Sequence, residues 1–122
     1  KLHFMGANRQ VTGSRYCLET INSRVMVDCG MFQERQFASR NWNECPLPLD
    51  TVNALLLTHA HIDHCGLIPR LVRHGFRSPI YCTPSTIDLV EITQISCQLR
   101  SERAKLLSAP ISLFFEISDL FL

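Results

Sequence analysis

Charge of one sign is what this sequence has least of. Its 12 Lys and Arg are balanced by 11 Asp and Glu, leaving a formal net charge of +1. That balance gives no electrostatic footprint for nucleic acid, so such a partner has to be argued from other residues. Long apolar runs are lacking too. None reaches the roughly 18 residues of a membrane helix; Ile111 to Leu122 comes nearest, and Glu116 and Asp119 interrupt it. A membrane partner is not expected. No Cys-x-x-Cys pair occurs: the cysteines stand at 17, 29, 45, 65, 82 and 97, unlike a small disulfide scaffold. No secretory leader is expected, because Lys1 runs directly into strand-like residues. Reduced thiols in a cytoplasmic protein follow as the expectation. Internal repeats and domain linkers are also missing. With 122 residues, 46% of them hydrophobic, the chain holds at most one domain and can bury a core.

Histidine is scarce but concentrated. Of five in the chain, three fall in His59-Ala60-His61-Ile62-Asp63-His64, directly after the apolar run Val52 to Leu57. Imidazole nitrogen and carboxylate oxygen are ligands for zinc and neighbouring transition metals. On an extended segment, side chains two apart project to the same side, so His59, His61 and Asp63 are expected to point into one cavity. His64 breaks the alternation, and Gly66 is expected to let the chain turn there. One segment then serves two adjacent ions, with His59 and His61 on one, Asp63 and His64 on the other. Cys65 either packs or touches the metal. His74, at a predicted helix end, is assigned a structural role.

The remainder reads as a mixed α/β sheet. Leu2 to Met5, Arg15 to Glu19 and Arg24 to Val27 have strand character, with Ile21-Asn22-Ser23 turning the last two into a hairpin. Gly6 to Ser14 is a loop of small and polar residues. Met31 to Leu49 shows no period and carries Pro46 and Pro48, so a surface loop is predicted. Ala54-Leu55-Leu56-Leu57 suits a strand buried on both faces, with the histidine motif at its carboxyl end. Leu67, Ile68, Leu71 and Val72 recur at helical spacing, with Pro69 in the first turn and His74-Gly75 at the close. Pro79 to Cys82 is a short strand. Thr83-Pro84 opens a helix running to about Gln98.

His59-Ala60-His61-Ile62-Asp63-His64 resembles the signature of the metallo-β-lactamase fold superfamily. Phe4-Met5-Gly6-Ala7 with Val11-Thr12-Gly13-Ser14, and Val27-Asp28-Cys29-Gly30-Met31-Phe32-Gln33, resemble its β-CASP branch of RNA-processing nucleases. Arg40-Asn41-Trp42 and Ser78 to Thr83 are similar to its bacterial members. The resemblance runs from residue 2 to about residue 92. It implies the amino-terminal half of an αββα sandwich, with a mixed sheet and covering helices. It further implies two zinc ions, held here by His59, His61, Asp63 and His64, and hydrolysis of RNA phosphodiester bonds. Asp63 would also orient or deprotonate the attacking water. Asp28 either steadies the ligand loop as a carboxylate behind it or satisfies turn donors. Thr12 and Ser14 either contact a phosphate or serve the turn.

The chain departs from that family downstream. The family completes its site with a further His, a bridging Asp and a last His. This sequence has no histidine after His74, and only Asp88 and Asp119 as later aspartates. Residues 1–98 are read as a partial metallo-β-lactamase-like domain and 99–122 as a divergent tail. Half a sandwich leaves an apolar face uncovered, so a homo-oligomer or a partner chain is expected there. Two further readings stand beside the RNA hydrolase: a catalytically silent truncated chain, and a thioester or lactone hydrolase of the same fold.

Overall fold

The computed structural model describes residues 1–92 throughout and residues 93–100 and 114–116 as backbone. Six strands form one mixed sheet in sequence order: β1 (Leu2–Phe4), β2 (Tyr16–Glu19), β3 (Arg24–Val27), β4 (Ala54–Leu56), β5 (Ile80–Cys82) and β6 (Phe114–Glu116). β1, β2 and β3 pair antiparallel, and β3 to β6 run parallel. Among the described residues, three α-helices accompany the sheet: α1 (Ile62–Cys65), α2 (Ile68–Arg73) and α3 (Pro84–Arg100).

Register explains which side of the sheet is the core. Cys17, Met26, Leu55 and Ile80 stand opposite one another across β2 to β5, and each is 0% exposed. Successive strand residues point to opposite faces, so this row seals one face. Ile68, Leu71 and Val72 of α2 belong to the same buried cluster, with Phe76 and Val90. Fully burying each such side chain contributes about 1.5–3 kcal/mol. The opposite face carries Phe4 and Leu18, both exposed, and Tyr16, Val27 and Leu56, all half-buried. On that second face β4 also buries Ala54, 8% exposed, and half-buries Leu56, so its continuous apolar run is largely covered on both faces.

Several boundaries follow from local chemistry. Asn22 and Ser23 donate their backbone N–H groups to the Thr20 hydroxyl, closing the β2–β3 hairpin. Pro69 sits in the first turn of α2, and Gly75, with φ at +110°, follows its C-cap His74. The Thr83 and Thr86 hydroxyls bond at 2.9 Å at the start of α3. Two expectations need correcting. Arg35–Trp42 is not irregular but a 3₁₀ helix; with no buried residue it leaves no apolar period to read. Gly66 does not supply an unusual turn, since its φ is −63°. A Cβ there would lie 2.5 Å from the Ile62 carbonyl and 3.0 Å from Met31 Cβ, so the glycine serves close packing. Phe114–Glu116, inside the stretch read as a divergent tail, joins the sheet edge; positions 101–113 and 117–122 of that tail lie outside the described residues. Among the described residues, no helix is long and apolar enough to cross a membrane.

Candidate metal centre

Two parallel strands end side by side, and the site is built on their carboxyl ends. β3 delivers Asp28 and β4 delivers Thr58 to His61. The Asp28 N–H donates to the Leu56 carbonyl at 2.9 Å, continuing the ladder one step beyond the strand. Asp28 then adopts φ +59°, a left-handed conformation that Asp tolerates better than most residues. The bend turns its carboxylate, 3% exposed, toward the histidine motif.

The motif itself is not extended throughout. His61 has extended backbone and acts as N-cap; α1 begins at Ile62. The expected alternation therefore covers His59 and His61 only. Asp63 and His64 occupy the first turn of α1, because the His64 and Cys65 N–H groups both find the His61 carbonyl. The three imidazoles nonetheless cluster: His59 lies 4.6 Å from His61 and 4.0 Å from His64, centroid to centroid.

Hydrogen bonding fixes the tautomers of two of them. A carboxylate only accepts. Asp28 Oδ2 lies 2.8 Å from His64 Nδ1, so that nitrogen carries the proton and Nε2 keeps its lone pair. Asp28 also takes the Thr58 backbone N–H at 2.8 Å and the Thr58 hydroxyl at 3.0 and 2.9 Å. Since Thr58 Oγ1 donates to that carboxylate, it must accept from His59 Nδ1, 2.9 Å away. Asp28 thus orients His64 directly and His59 through Thr58, leaving both Nε2 atoms with free lone pairs. Asp28 is therefore both a left-handed bend residue and a hydrogen-bond acceptor for Thr58 and His64. Burial, reinforced by His64 and then His61, holds the His59 imidazole below its ordinary pKa. That favours its neutral form.

Backbone bonds lock three loops around this cluster. Ser14 N–H donates to the Asp63 carbonyl at 2.9 Å, and Gly30 N–H to the Ser14 carbonyl at 2.9 Å. Cys29 N–H donates to the His64 carbonyl at 2.7 Å. Gly30 is required here: a Cβ would fall 1.6 Å from the Asp63 carbonyl oxygen. The Thr12 hydroxyl bonds the Glu34 carboxylate and accepts the Gln33 N–H, while Ser14 is buried. Glu34 also takes the Val11 and Thr12 N–H groups, each at 3.1 Å, and these bonds hold its pKa down to about 2. Thr58 and Glu34 were missed by sequence reasoning. A hydroxyl directly before the first histidine was the one local signal for Thr58; Glu34 is 22 residues from Thr12 and offered none. Cys65 is buried with its thiol toward the Ala60 carbonyl at 3.4 Å, which is a packing position.

Imidazole nitrogen and carboxylate oxygen are donor types that divalent transition metals accept. His64 Nε2 lies 3.5 Å from Asp63 Oδ2, close to the roughly 3.4 Å edge of a tetrahedron built on zinc–nitrogen and zinc–oxygen bonds. Among the described residues, no three His, Cys, Asp or Glu side chains already converge as a complete metal-binding group. The cluster is therefore a set of oriented donor groups rather than a closed cage.

A mixed sheet with histidines and an aspartate at its carboxyl edge is the class of architecture here, and sequence comparison narrows it. The chain belongs to the metallo-beta-lactamase superfamily, whose family model matches residues 15–86, and within it to the β-CASP, RNase J-like branch. It is similar to Ribonuclease TTHA0252 of Thermus thermophilus, with 48% identity over 89 residues, 71% of this chain and 20% of that protein. It is similar to Transcription termination factor FttA of Methanococcus maripaludis, with 40% identity over 95 residues, 75% of this chain and 15% of that protein. An RNase J-like protein of Methanocaldococcus jannaschii is 41% identical over 93 residues, 75% of this chain and 20% of that protein. The chain thus spans a fifth or less of the length of these relatives. Among solved structures, Rm3 metallo-beta-lactamase superposes with a TM-score of 0.50 at 21% identity, over 70% of this chain and 30% of that one. That likeness concerns the fold.

Proposed function

We propose that this chain carries the ligand motif of a metal-dependent hydrolase of RNA phosphodiester bonds, with His59, His61, Asp63 and His64 holding zinc. The observation that carries the reading is the Asp28 relay. Buried carboxylates behind metal-bound imidazoles fix the tautomer and raise ligand basicity, and here one carboxylate serves two imidazoles in that way. RNA as substrate is supported by the relatives' names, ribonuclease and transcription termination factor. When bound, zinc would supply Lewis acidity and a water acidified toward neutral pH. The chain's own residues do the rest. Asp28 holds His64 and, through Thr58, His59; Asp63, in the first turn of α1, would orient a water and take its proton. Cys17, Cys29, Cys45 and Cys82 are free thiols, which supports a reducing, cytoplasmic setting.

A fluorescent single-stranded RNA incubated with the zinc-loaded chain tests this. Metal-dependent cleavage that disappears with Asp63→Asn and with His59→Ala is expected. The silent reading is favoured by one observation, the lack of a converged three-ligand group among the described residues. Zinc-loaded protein that leaves RNA intact would establish that alternative.

A further inference from the structure

Arg15 is 6% exposed, and its Nε, fully shielded from water, has no hydrogen-bond partner. A guanidinium stays charged at any physiological pH, and an unpaired charge in the interior is costly. Among the described residues no carboxylate pairs with it. The nearest buried acid in sequence, Asp28, is fully engaged by Thr58 and His64. Cys29, beside it, supplies no counter-charge, because burial pushes that thiol up to about 12.

Arg15 lines a small pocket, open to solvent, between the sheet and α2. Arg70 and His74 of α2 and its cap line the same pocket, and Leu67 and Leu71 form apolar wall. Burial orders these groups: Arg15 lies innermost, Arg70 is half-buried and His74 is exposed. Arg70 is held in place by donating to the Trp42 carbonyl and by lying 5.7 Å from the Trp42 ring centroid. None of His59, His61, Asp63 and His64 lines this pocket.

We infer that this pocket is a phosphate-binding site separate from the histidine cluster, with the buried Arg15 as its anchor and Arg70 and His74 as outer donors. Guanidinium forks match the oxygens of a phosphate in bidentate fashion, and charge-assisted bonds of this kind are the strong ones. The pocket lacks any acidic lining residue, as an anion site requires. The phosphate comes either from a free phosphate ion or from an RNA backbone.

Calorimetric titration of inorganic phosphate into the full chain, at fixed ionic strength, tests it. Saturable one-site binding is expected. Arg15→Met weakens it at least about tenfold, and His74→Gln weakens it severalfold. Replacing an unpaired buried charge by an apolar chain of similar length is often neutral or stabilising, so Arg15→Met is expected to fold. Phosphate should then raise the unfolding temperature of the wild type and not of that variant. The exposed His74→Gln keeps the test decisive should Arg15→Met not fold. His59→Ala with His61→Ala should bind phosphate like the wild type, which separates this site from the metal reading. A short RNA that competes with phosphate identifies backbone phosphate as the source; one that does not identifies the free ion. Non-saturable titration, or equal affinity in both Arg15→Met and His74→Gln, would overturn the assignment.

Discussion

Replacing Asp28 separates its two duties. The carboxylate, 3% exposed, receives the Thr58 N–H and His64 Nδ1–H, each at 2.8 Å. Charge-assisted bonds are worth about 1.5–3 kcal/mol each, and both donors sit at part-buried positions, where water recovers some of the loss. Asp28→Ala should therefore cost about 2–4 kcal/mol, measured by urea unfolding. Asp28→Asn is the sharper probe. Its amide oxygen can still accept from Thr58, and Asn tolerates φ +59°. Its NH2 group, however, would face His64 Nδ1 as a donor. That nitrogen must then accept, and the ring proton moves to Nε2, the nitrogen meant for metal. Stability should fall by no more than about 1–2 kcal/mol, while zinc affinity drops about 10–100-fold. Titration with a competing chelator measures the affinity, and nitrogen NMR reports the tautomer. Zinc affinity within about twofold of wild type in a folded Asp28→Asn would refute the relay.

Gly30→Ala should destabilise by at least about 3 kcal/mol, because its methyl would meet the Asp63 carbonyl at 1.6 Å; thermal unfolding reads this out. Met26→Ala, at a 0% exposed position in the central row, should cost about 2–5 kcal/mol by the same measurement. Glu34 and Glu19 are both held at about pKa 2, Glu34 chiefly by Thr12 and Glu19 by Arg24 and His3, against 4.5 ordinarily. Their folded pKa values lie below the unfolded ones, so their contribution is complete above about pH 4.5 and is lost as pH falls toward 2. Glu34→Gln should flatten that loss in an acid-unfolding series. Among Cys17, Cys29, Cys45, Cys65 and Cys82, the half-buried Cys45 should react first with iodoacetamide at pH 8. Cys29 and Cys82, pushed up to about 12 and 11 by burial, should resist until the chain unfolds. Peptide mass spectrometry distinguishes them.

Local signals carried most of the fold. The hairpin turn at residues 20–23, the apolar run of β4, Pro69 and Gly75 around α2, and Thr83-Pro84 at α3 are each written within a few residues. The histidine cluster was legible for the same reason, since its members lie within six positions. What escaped depends on distance or on context. Asp28 meets His64 across 36 residues because β3 and β4 are parallel neighbours, and the sequence does not state that pairing. A single helical turn such as α1 is too short to show a period, so Asp63 was placed on an extended segment. Gly66 reads as a turn residue in sequence, whereas the structure uses its missing Cβ against Ile62 and Met31. Arg15 sits in a strand-like stretch with nothing to mark it as interior, and only packing against α2 reveals its burial.

The most direct test of the central claim is zinc content per folded chain after exhaustive dialysis, compared between wild type and His59→Ala with His61→Ala. Stoichiometric zinc in the wild type and its loss in the folded double variant is the predicted result. Equal zinc content in the two proteins would contradict the assignment of His59, His61, Asp63 and His64 as the metal ligands.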